Sequence, residues 1–517
     1  MEEGRLEARD VMWVLSITLI GGAFCHYMVQ RWRSTRGRPT NWPVLGMLPA
    51  MLINLDHIHD WVASLLISNS GTFLFQGPWF SDMRYLYTAD PRNIEHALRT
   101  NFDDYPKGKG FSDIFLDLLG QGIFNTDGEL WRIHRKVTSL QLNSRLCREF
   151  SDSAIFSMVE NKLLPLLDCF CKEGLRFDLQ DILLRLTFDT ICLVGFGEEV
   201  GCLSPELPVS AFAKAFETTL ECTMFRFFLP LRWWQTLRRL RLGKERDMPE
   251  AMRVVDRFFE ELVASRRRVQ NDDEHCERKY DLMSCLLMNG GEMYMDDKLL
   301  RDSALNLLLA GRDTSAQALC WFFWLVAQHP SVESKIVEET RRIVGGAMGN
   351  GKSSLTRREL KQMHYLHAAL TESLRLYPSV PFDFKNVRKD DILPDGTRMK
   401  KNDRFVYAIH AMGRMESIWG KDSLCFRPER WLNSCDGTFT DTHVPAFHYV
   451  VFNGGPRTCL GKDMAYVLMK AVASSILFHF SVRLVPGHIV TPRLSITLYM
   501  KDGLAVTLAR RNLQLNP

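Results

Sequence analysis

The chain has 517 residues, 46% of them apolar and 24% charged, with a formal net charge of +4. That balance excludes a disordered or fibrous chain and gives no broad electrostatic ground for nucleic-acid binding, so partners must be chosen by local patches. The 13 cysteines are odd in number and lack the C-x-x-C pairs of zinc or redox sites, so most are expected as buried apolar thiols in a reducing compartment.

From Val11 to Val29 the chain is apolar apart from small hydroxyls, His26 and Tyr27, which predicts a bilayer-spanning helix. Glu2, Glu3, Glu7 and Asp10 outweigh Arg5 and Arg9 before it, and Arg31, Arg33, Arg36 and Arg38 follow. The asymmetry argues against a cleaved signal and for an anchor with the bulk of the chain in the cytosol. Pro39, Pro43, Gly46 and Pro49 then form a stiff stretch that cannot continue a helix. The expected organisation is a leader and anchor over 1–30, a basic, proline-rich hinge over 31–50, and one large domain over 51–517.

Within that domain helical periodicity dominates from Ser151 to His329. Sheet-like runs fall at Gly71 to Tyr87 and Val387 to Val406, with a third hairpin at Ser495 to Leu508. A mainly α fold with small β-sheets follows. Phe227, Phe228, Trp233 and Trp234 beside Arg232, Arg238, Arg239 and Arg241 suggest a second membrane-touching segment. Asp296 and Asp297 are placed to cap a long helix over Lys298 to His329, ended by Pro330. In its middle stand Ala310, Gly311, Asp313 and Thr314. Ala310 and Thr314 share a face, and the glycine costs about 1 kcal/mol there, a cost expected if a small ligand and a substrate need room.

Gly346 to Ser353 satisfies the G-x-x-x-x-G-K-[ST] phosphate-loop pattern. The preceding Val332 to Val344 has helical rather than strand spacing, and Thr356 and Glu359 form a capping box for the next helix. Nucleotide binding is therefore rejected, and the glycines are read as a surface loop. Glu372 and Arg375 sit three apart on one helical face. Finally, Phe452-Asn453-Gly454-Gly455-Pro456-Arg457-Thr458-Cys459-Leu460-Gly461 delivers one cysteine to the start of a helix over Lys462 to Phe480. Backbone N–H groups and the helix dipole there favour a thiolate, poised as a metal ligand. Gly455 permits a tight turn, Gly461 lets the helix approach a flat cofactor, and Arg457 offers its fork to a carboxylate.

F-x-x-G-x-R-x-C-x-G resembles the heme-binding signature of the cytochrome P-450 family. The resemblance extends to Ala310-Gly311-Arg312-Asp313-Thr314-Ser315 (the A-G-x-[DE]-T-[TS] motif), Glu372 with Arg375 (E-x-x-R), Arg430, and Trp131 with Arg135 (W-x-x-x-R). It covers the chain beyond the hinge. It implies the cytochrome P-450 fold and iron protoporphyrin IX held by the Cys459 thiolate. Phe452, Gly455, Arg457, Gly461, Ala310, Gly311, Trp131 and Arg135 would border the heme, the last two bonding its propionates. Thr314 and Asp313 would serve proton delivery, and Glu372, Arg375 and Arg430 would form a buried triad fixing the cysteine loop. Ala310 lacks the carboxylate that some members esterify, so noncovalent heme is expected.

Asp104 to Gly108, Asp117 to Asn125, Asp178 to Asp189, Ala411 to Met415 and Trp419 to Asp422 are similar to the plant fatty-acid ω-hydroxylase group. That likeness implies terminal hydroxylation of long- or very-long-chain fatty acids at the endoplasmic reticulum membrane, for cutin- or suberin-type polymers. Electrons would come from NADPH through a reductase docking at Arg132, Lys136, Arg414 and Lys462. Phe111, Ile114, Phe115, Val380, Pro381 and Phe382 would line the substrate channel. Competing readings are an in-chain hydroxylase or epoxygenase, a lipid isomerase or dehydratase, and a non-enzymatic heme or lipid binder. Retention of Thr314 argues against the last two.

Overall fold

The structure, a computed structural model, describes residues 39–271, 281–289, 296–349 and 355–511, with most of 11–29. Where described, 11–26 is helical. Among the described residues, however, no helix is long and apolar enough to cross a membrane. The expected span over Val11–Val29 is thus not supported, and the leader over 1–10 and the arginines at 31, 33, 36 and 38 lie outside the described residues. The expected hinge, where described, is seated on the body. Trp42 and Gly46 exchange backbone hydrogen bonds, and the Met47 amide donates to Gln76 O at 2.7 Å. Gly46 is left-handed (φ +61°), and a Cβ there would lie 2.2 Å from Gly77 O.

The elements that build the site run as follows. Helix α1 (Ile58–Ser68) precedes strands β1 (Thr72–Gln76) and β2 (Arg84–Thr88). Helices α2 (Gly108–Leu119), α3 (Gly128–Asn143), α4 (Arg145–Met158), α5 (Leu179–Phe196), α6 (Ala211–Arg226) and α7 (Leu231–Leu240) follow, then α8 (Leu282–Asn289) and the 32-residue α9 (Asp297–Gln328). After α10 (His364–Leu376) come β3 (Phe382–Asn386) and β4 (Arg404–Ala408). Helix α11 (Lys462–His479) leads into β5 (Phe480–Leu484), and β6 (Ala505–Arg510) closes the fold.

Aromatic and β-branched residues at alternate positions make β1 and β2 an antiparallel pair, with Phe73 opposite Tyr87. The sheet order is β1-β2-β4-β3, and β2 runs parallel to β4 with Leu86 opposite Phe405. The expected hairpin at Ser495 to Leu508 does not form. Strand β6 pairs instead with β5 and with Phe177–Asp178, while Tyr499–Met500 pairs with Pro492–Arg493. A chain reversal was legible there, but its partner lies upstream. Gly346 and Gly349 belong to a helix over Pro330–Gly349 rather than to a loop, and residues 350–354 lie outside the described residues. The capping box of Thr356 and Glu359 is present.

Helix α9 begins as the sequence predicts, with the Asp296 carboxylate accepting from the Lys298 amide at 3.1 Å. It runs through the middle of the domain, with 21 buried residues facing both of the large apolar clusters. Its closest neighbour is α5. Gly195 admits Leu307, and a Cβ on Gly311 would lie 2.5 Å from Ile191 Cδ1. The room at Gly311 thus admits a neighbouring helix, and both Gly311 and Ile191 also border the cavity described below.

This packing yields a stability prediction. Gly311→Ala gains about 1 kcal/mol of helix propensity, yet crowding a packed interface costs about 1–3 kcal/mol. A net fall in the thermal midpoint is expected, and Ile191→Ala in the same background should recover part of it. A midpoint that rises in the single variant would contradict the interface.

Candidate active site

A cavity of about 480 Å³ lies among the described residues. Cys459, Phe452, Arg457 and Gly461 border it, as do Trp131, Arg135, Ala310, Gly311 and Thr314. Phe111, Phe115, Val380, Pro381 and Phe382 border it too. The structure thus brings together residues more than 300 positions apart. Three predicted positions fall elsewhere. Ile114 is buried and turned away, its carbonyl accepting from Arg226 Nη1 at 3.0 Å. Asp313 is fully buried behind the cavity wall. Gly455 acts in the turn itself: it is left-handed (φ +61°), and a Cβ would meet Leu98 O at 1.9 Å.

The cysteine loop is held at both ends. The Cys459 amide donates to Phe452 O at 2.8 Å, and Gly461 caps α11. Burial pushes the Cys459 thiol up. The Gly461 and Lys462 amides and the Arg135 and Lys462 cations pull the other way without prevailing. A cation bound directly to the sulfur would reinforce those amides and cations and favour the thiolate. A Cβ on Gly461 would meet only Cys459 Sγ, at 3.9 Å, so this side of the sulfur is open.

Around the sulfur lies a cluster that sequence reading found only in part. Arg457 donates to Asp127 Oδ1 at 2.8 Å and to Thr126 O at 2.7 Å, and lies 4.5 Å from the Trp131 ring centre. Arg135 donates to Thr458 O at 2.7 Å. Lys107 bonds Asp383, whose other oxygen accepts from Tyr407. Lys385 is wholly buried, 4.0 Å from Asp383, and its Nζ has no hydrogen-bond partner. Burial and then Lys107 push the Lys385 ammonium well down. Burial raises the Asp383 carboxyl, but Lys107 and Lys385 outweigh it and hold it below the usual range. Asp383 and Lys385 escaped the sequence reading because only the β3–β4 register sets Asp383 opposite Tyr407, and Lys107 because it joins them from the start of α2, where its amide and Arg457 share Asp127. The D-x-K alternation in β3 is the one local signal.

On the opposite wall, Thr314 Oγ1 donates to Ala310 O at 2.5 Å, and its own carbonyl accepts from Ser379 Oγ at 2.7 Å. Asp313 Oδ1 pairs with Arg312 Nη1 at 2.7 Å, leaving Oδ2 without a partner. Burial raises the Asp313 carboxyl, opposed by Arg312 and by Tyr499.

Glu372 and Arg375 are fully buried, joined by two bonds of 2.8 Å, and Arg430 Nε reaches Glu372 at 3.3 Å. The arginines spend their remaining donors on the carbonyls of Gly413, Trp419, Asp422, Ser423 and Cys425. The triad thus fixes the 413–431 segment directly. It meets the cysteine loop through Trp431, which donates to Glu372 at 2.8 Å and packs on Tyr449.

A cytochrome P450 family model matches residues 37–503. "Cytochrome P450 86B1" of Arabidopsis thaliana is 44% identical over 515 residues, covering 98% of this chain and 91% of the relative. "Alkane hydroxylase MAH1" of the same plant is 38% identical, covering 94% and 96%. "Noroxomaritidine synthase 2" of Narcissus aff. pseudonarcissus is 37% identical, covering 92% and 91%.

The two kinds of ion pair should separate on mutation. Arg375→Ala strands a buried carboxylate and is expected to cost about 3–5 kcal/mol. Arg427→Ala removes a half-exposed contact to Asp422 and should cost under about 1 kcal/mol. Thermal unfolding of the two variants checks this; equal losses would contradict the assignment of the buried pair.

Proposed function

Because the chain belongs to the cytochrome P450 family, whose cofactor is thiolate-bound heme and whose electrons come from a reductase, we propose that it hydroxylates the terminal carbon of long-chain fatty acids or their derivatives. The observation that carries this reading is the apolar cavity that Cys459 and Thr314 border together, with Phe111, Phe115 and Phe382 in its wall. A relative at 38% identity is named an alkane hydroxylase, which supports an unfunctionalised chain as the group attacked.

The residues fit the cofactor. Lys107, Arg135 and Arg457 face Asp127 and Asp383 in the cluster beside Cys459, an excess of one cation, to which Lys385 would add a second once an anion lets it keep its proton. Two propionates would neutralise that excess and give the orphaned Lys385 Nζ an anion nearby. Cys459 would hold the iron, with Gly461 leaving its near side clear and Ala310 and Gly311 on the far wall. Ala310 offers no carboxylate for a covalent link. When bound, the heme supplies dioxygen activation and the oxidising equivalent.

The chain's own residues bind, orient and move protons. Thr314 Oγ1 holds a proton at the cavity surface. Asp313 reaches that hydroxyl only by leaving Arg312, so its part is to exchange protons from behind the wall. The rings of Phe111 and Phe115, 4.5 Å apart, and of Phe384, 5.0 Å from Phe111, narrow the cavity. A terminal C–H bond is stronger than its methylene neighbours, so end-on admission of the chain is required to reach it. Burial of the remaining methylenes, at about 0.8 kcal/mol each, holds that geometry.

Membrane association belongs to the same reading. Val11, Met12, Trp13, Leu15, Leu19, Ile20 and Phe24 are exposed, as are Trp79, Phe80 and Trp233, with Trp79 edge-on to Phe80 and Trp233 stacked on it. Of the aromatic segment singled out from sequence, Phe228 and Trp234 are core residues, so Trp233 alone remains fully outward. In the proposed reductase face Arg132 and Lys136 are exposed, whereas Arg414 is spent on the carbonyls of Leu376 and His410.

Two outcomes are expected. Thr314→Ala should keep its heme but release more peroxide and less product per NADPH, by loss of the proton-holding hydroxyl; unchanged coupling would remove that role. Mass-spectrometric location of the new hydroxyl in products from saturated acids should find it mainly at the terminal carbon, and Phe382→Ala should shift it inward. Predominantly in-chain alcohols from the wild type would overturn terminal hydroxylation.

A further inference from the structure

Twelve free cysteines fall among the described residues, and two of them are in sulfur–sulfur contact. Cys147 on α4 and Cys285 on α8 lie 138 positions apart, yet their Sγ atoms are 3.2 Å from one another. Both are buried, at 2% and 6% exposure. Each is firmly carried by its helix: the Cys147 carbonyl accepts from Ser151 Oγ at 2.7 Å, and the Cys285 amide donates to Asp281 O at 3.0 Å. Asp281 also caps α8 through Ser284.

Helix α8 has a second face. Leu282, Met283 and Leu286 border the cavity that holds Cys459 and Thr314. Cys285 is thus carried on the same short helix as three lining residues, one position from Leu286. A disulfide needs its sulfurs about 2.0 Å apart, so closure asks for little more than an ångström of approach between two packed helices.

We propose that Cys147 and Cys285 are a peroxide-oxidisable dithiol, closing to a disulfide that ties a wall of the cavity to α4. The oxidant is hydrogen peroxide, formed when activated dioxygen is released without product. One thiol sulfur attacks the peroxide O–O bond, giving a sulfenic acid and one water. The second thiol displaces the hydroxyl from that sulfur as a second water, forming S–S. Two thiols and one peroxide thus yield one disulfide and two waters. With the sulfurs 3.2 Å apart, whichever is oxidised first has its resolving partner already in contact. The inference stands apart from the substrate assigned above.

The test uses the full heme-loaded chain, titrated with hydrogen peroxide, alkylated and digested for mass spectrometry. A cross-linked peptide pair two hydrogens lighter than the sum of its parts is expected, with Cys147 and Cys285 vanishing from the alkylated pool together and returning with dithiothreitol. Amide exchange over 282–289 should slow in the oxidised form. In Cys285→Ser the sulfenic acid should persist on Cys147 and be trapped by dimedone. Alkylation of both cysteines after oxidation of the exposed Cys169, Cys425 and Cys435, or independent oxidation of the pair without a cross-link, would overturn the proposal.

Discussion

Charge is costly in a dry interior, and this fold gathers an unusual amount of it beside one sulfur. Cys459 is open to the cavity, where the Gly461 and Lys462 amides and the Arg135 and Lys462 cations oppose the cost of charging it. The same penalty shapes what surrounds it. Lys385 is wholly buried without a hydrogen-bond partner, Asp383 survives between two lysines and Tyr407, and Arg457 is shared between Asp127 and the face of Trp131. These groups are tolerable together because they balance one another and leave a deficit of negative charge beside the sulfur. A flat, dianionic metal complex answers both the sulfur and the deficit.

A second buried set holds the frame that carries the loop. Glu372 and Arg375 would be a weak stabiliser as an isolated pair, since desolvation offsets their attraction. Their worth lies in the carbonyls they collect. An irregular segment over 413–431 has few ladder partners of its own, and two guanidinium groups satisfy five of its backbone oxygens. Regular structure is thereby replaced by side chains at the point where the chain turns toward the cysteine.

What could be read from sequence was whatever depends on near neighbours. The cap of α9 at Asp296, the capping box at Thr356 and Glu359, the turn at Gly455 and the alternation in β1 and β2 are set within a few residues. What could not be read depends on pairing at a distance. The glycine at 311 announced a close approach but not that Ile191 makes it. Ile114 and Phe115 are adjacent on α2, and only how that helix is rotated in the tertiary packing decides that Phe115 and not Ile114 borders the cavity. Asp313 pairs with its own neighbour Arg312, and the Tyr499 hydroxyl that meets them belongs to a strand nearly 190 positions later. The expected membrane span shows the converse limit: an apolar run fixes what a segment prefers to touch, and among the described residues no helix is long and apolar enough for a crossing.

The parallel pairing of β2 with β4 joins residues 84–88 to 404–408. A ribosome releases the first strand hundreds of residues before the second, so for most of synthesis β2 has a vacant edge and an aromatic face. Contacts of such long separation form slowly and expose unpaired strands on the way. Strand β3 joins through β4, and the cysteine loop is made later still, so the site is complete only near the end of synthesis or after it. Until then the unpaired edge of the β1–β2 hairpin is open to other chains.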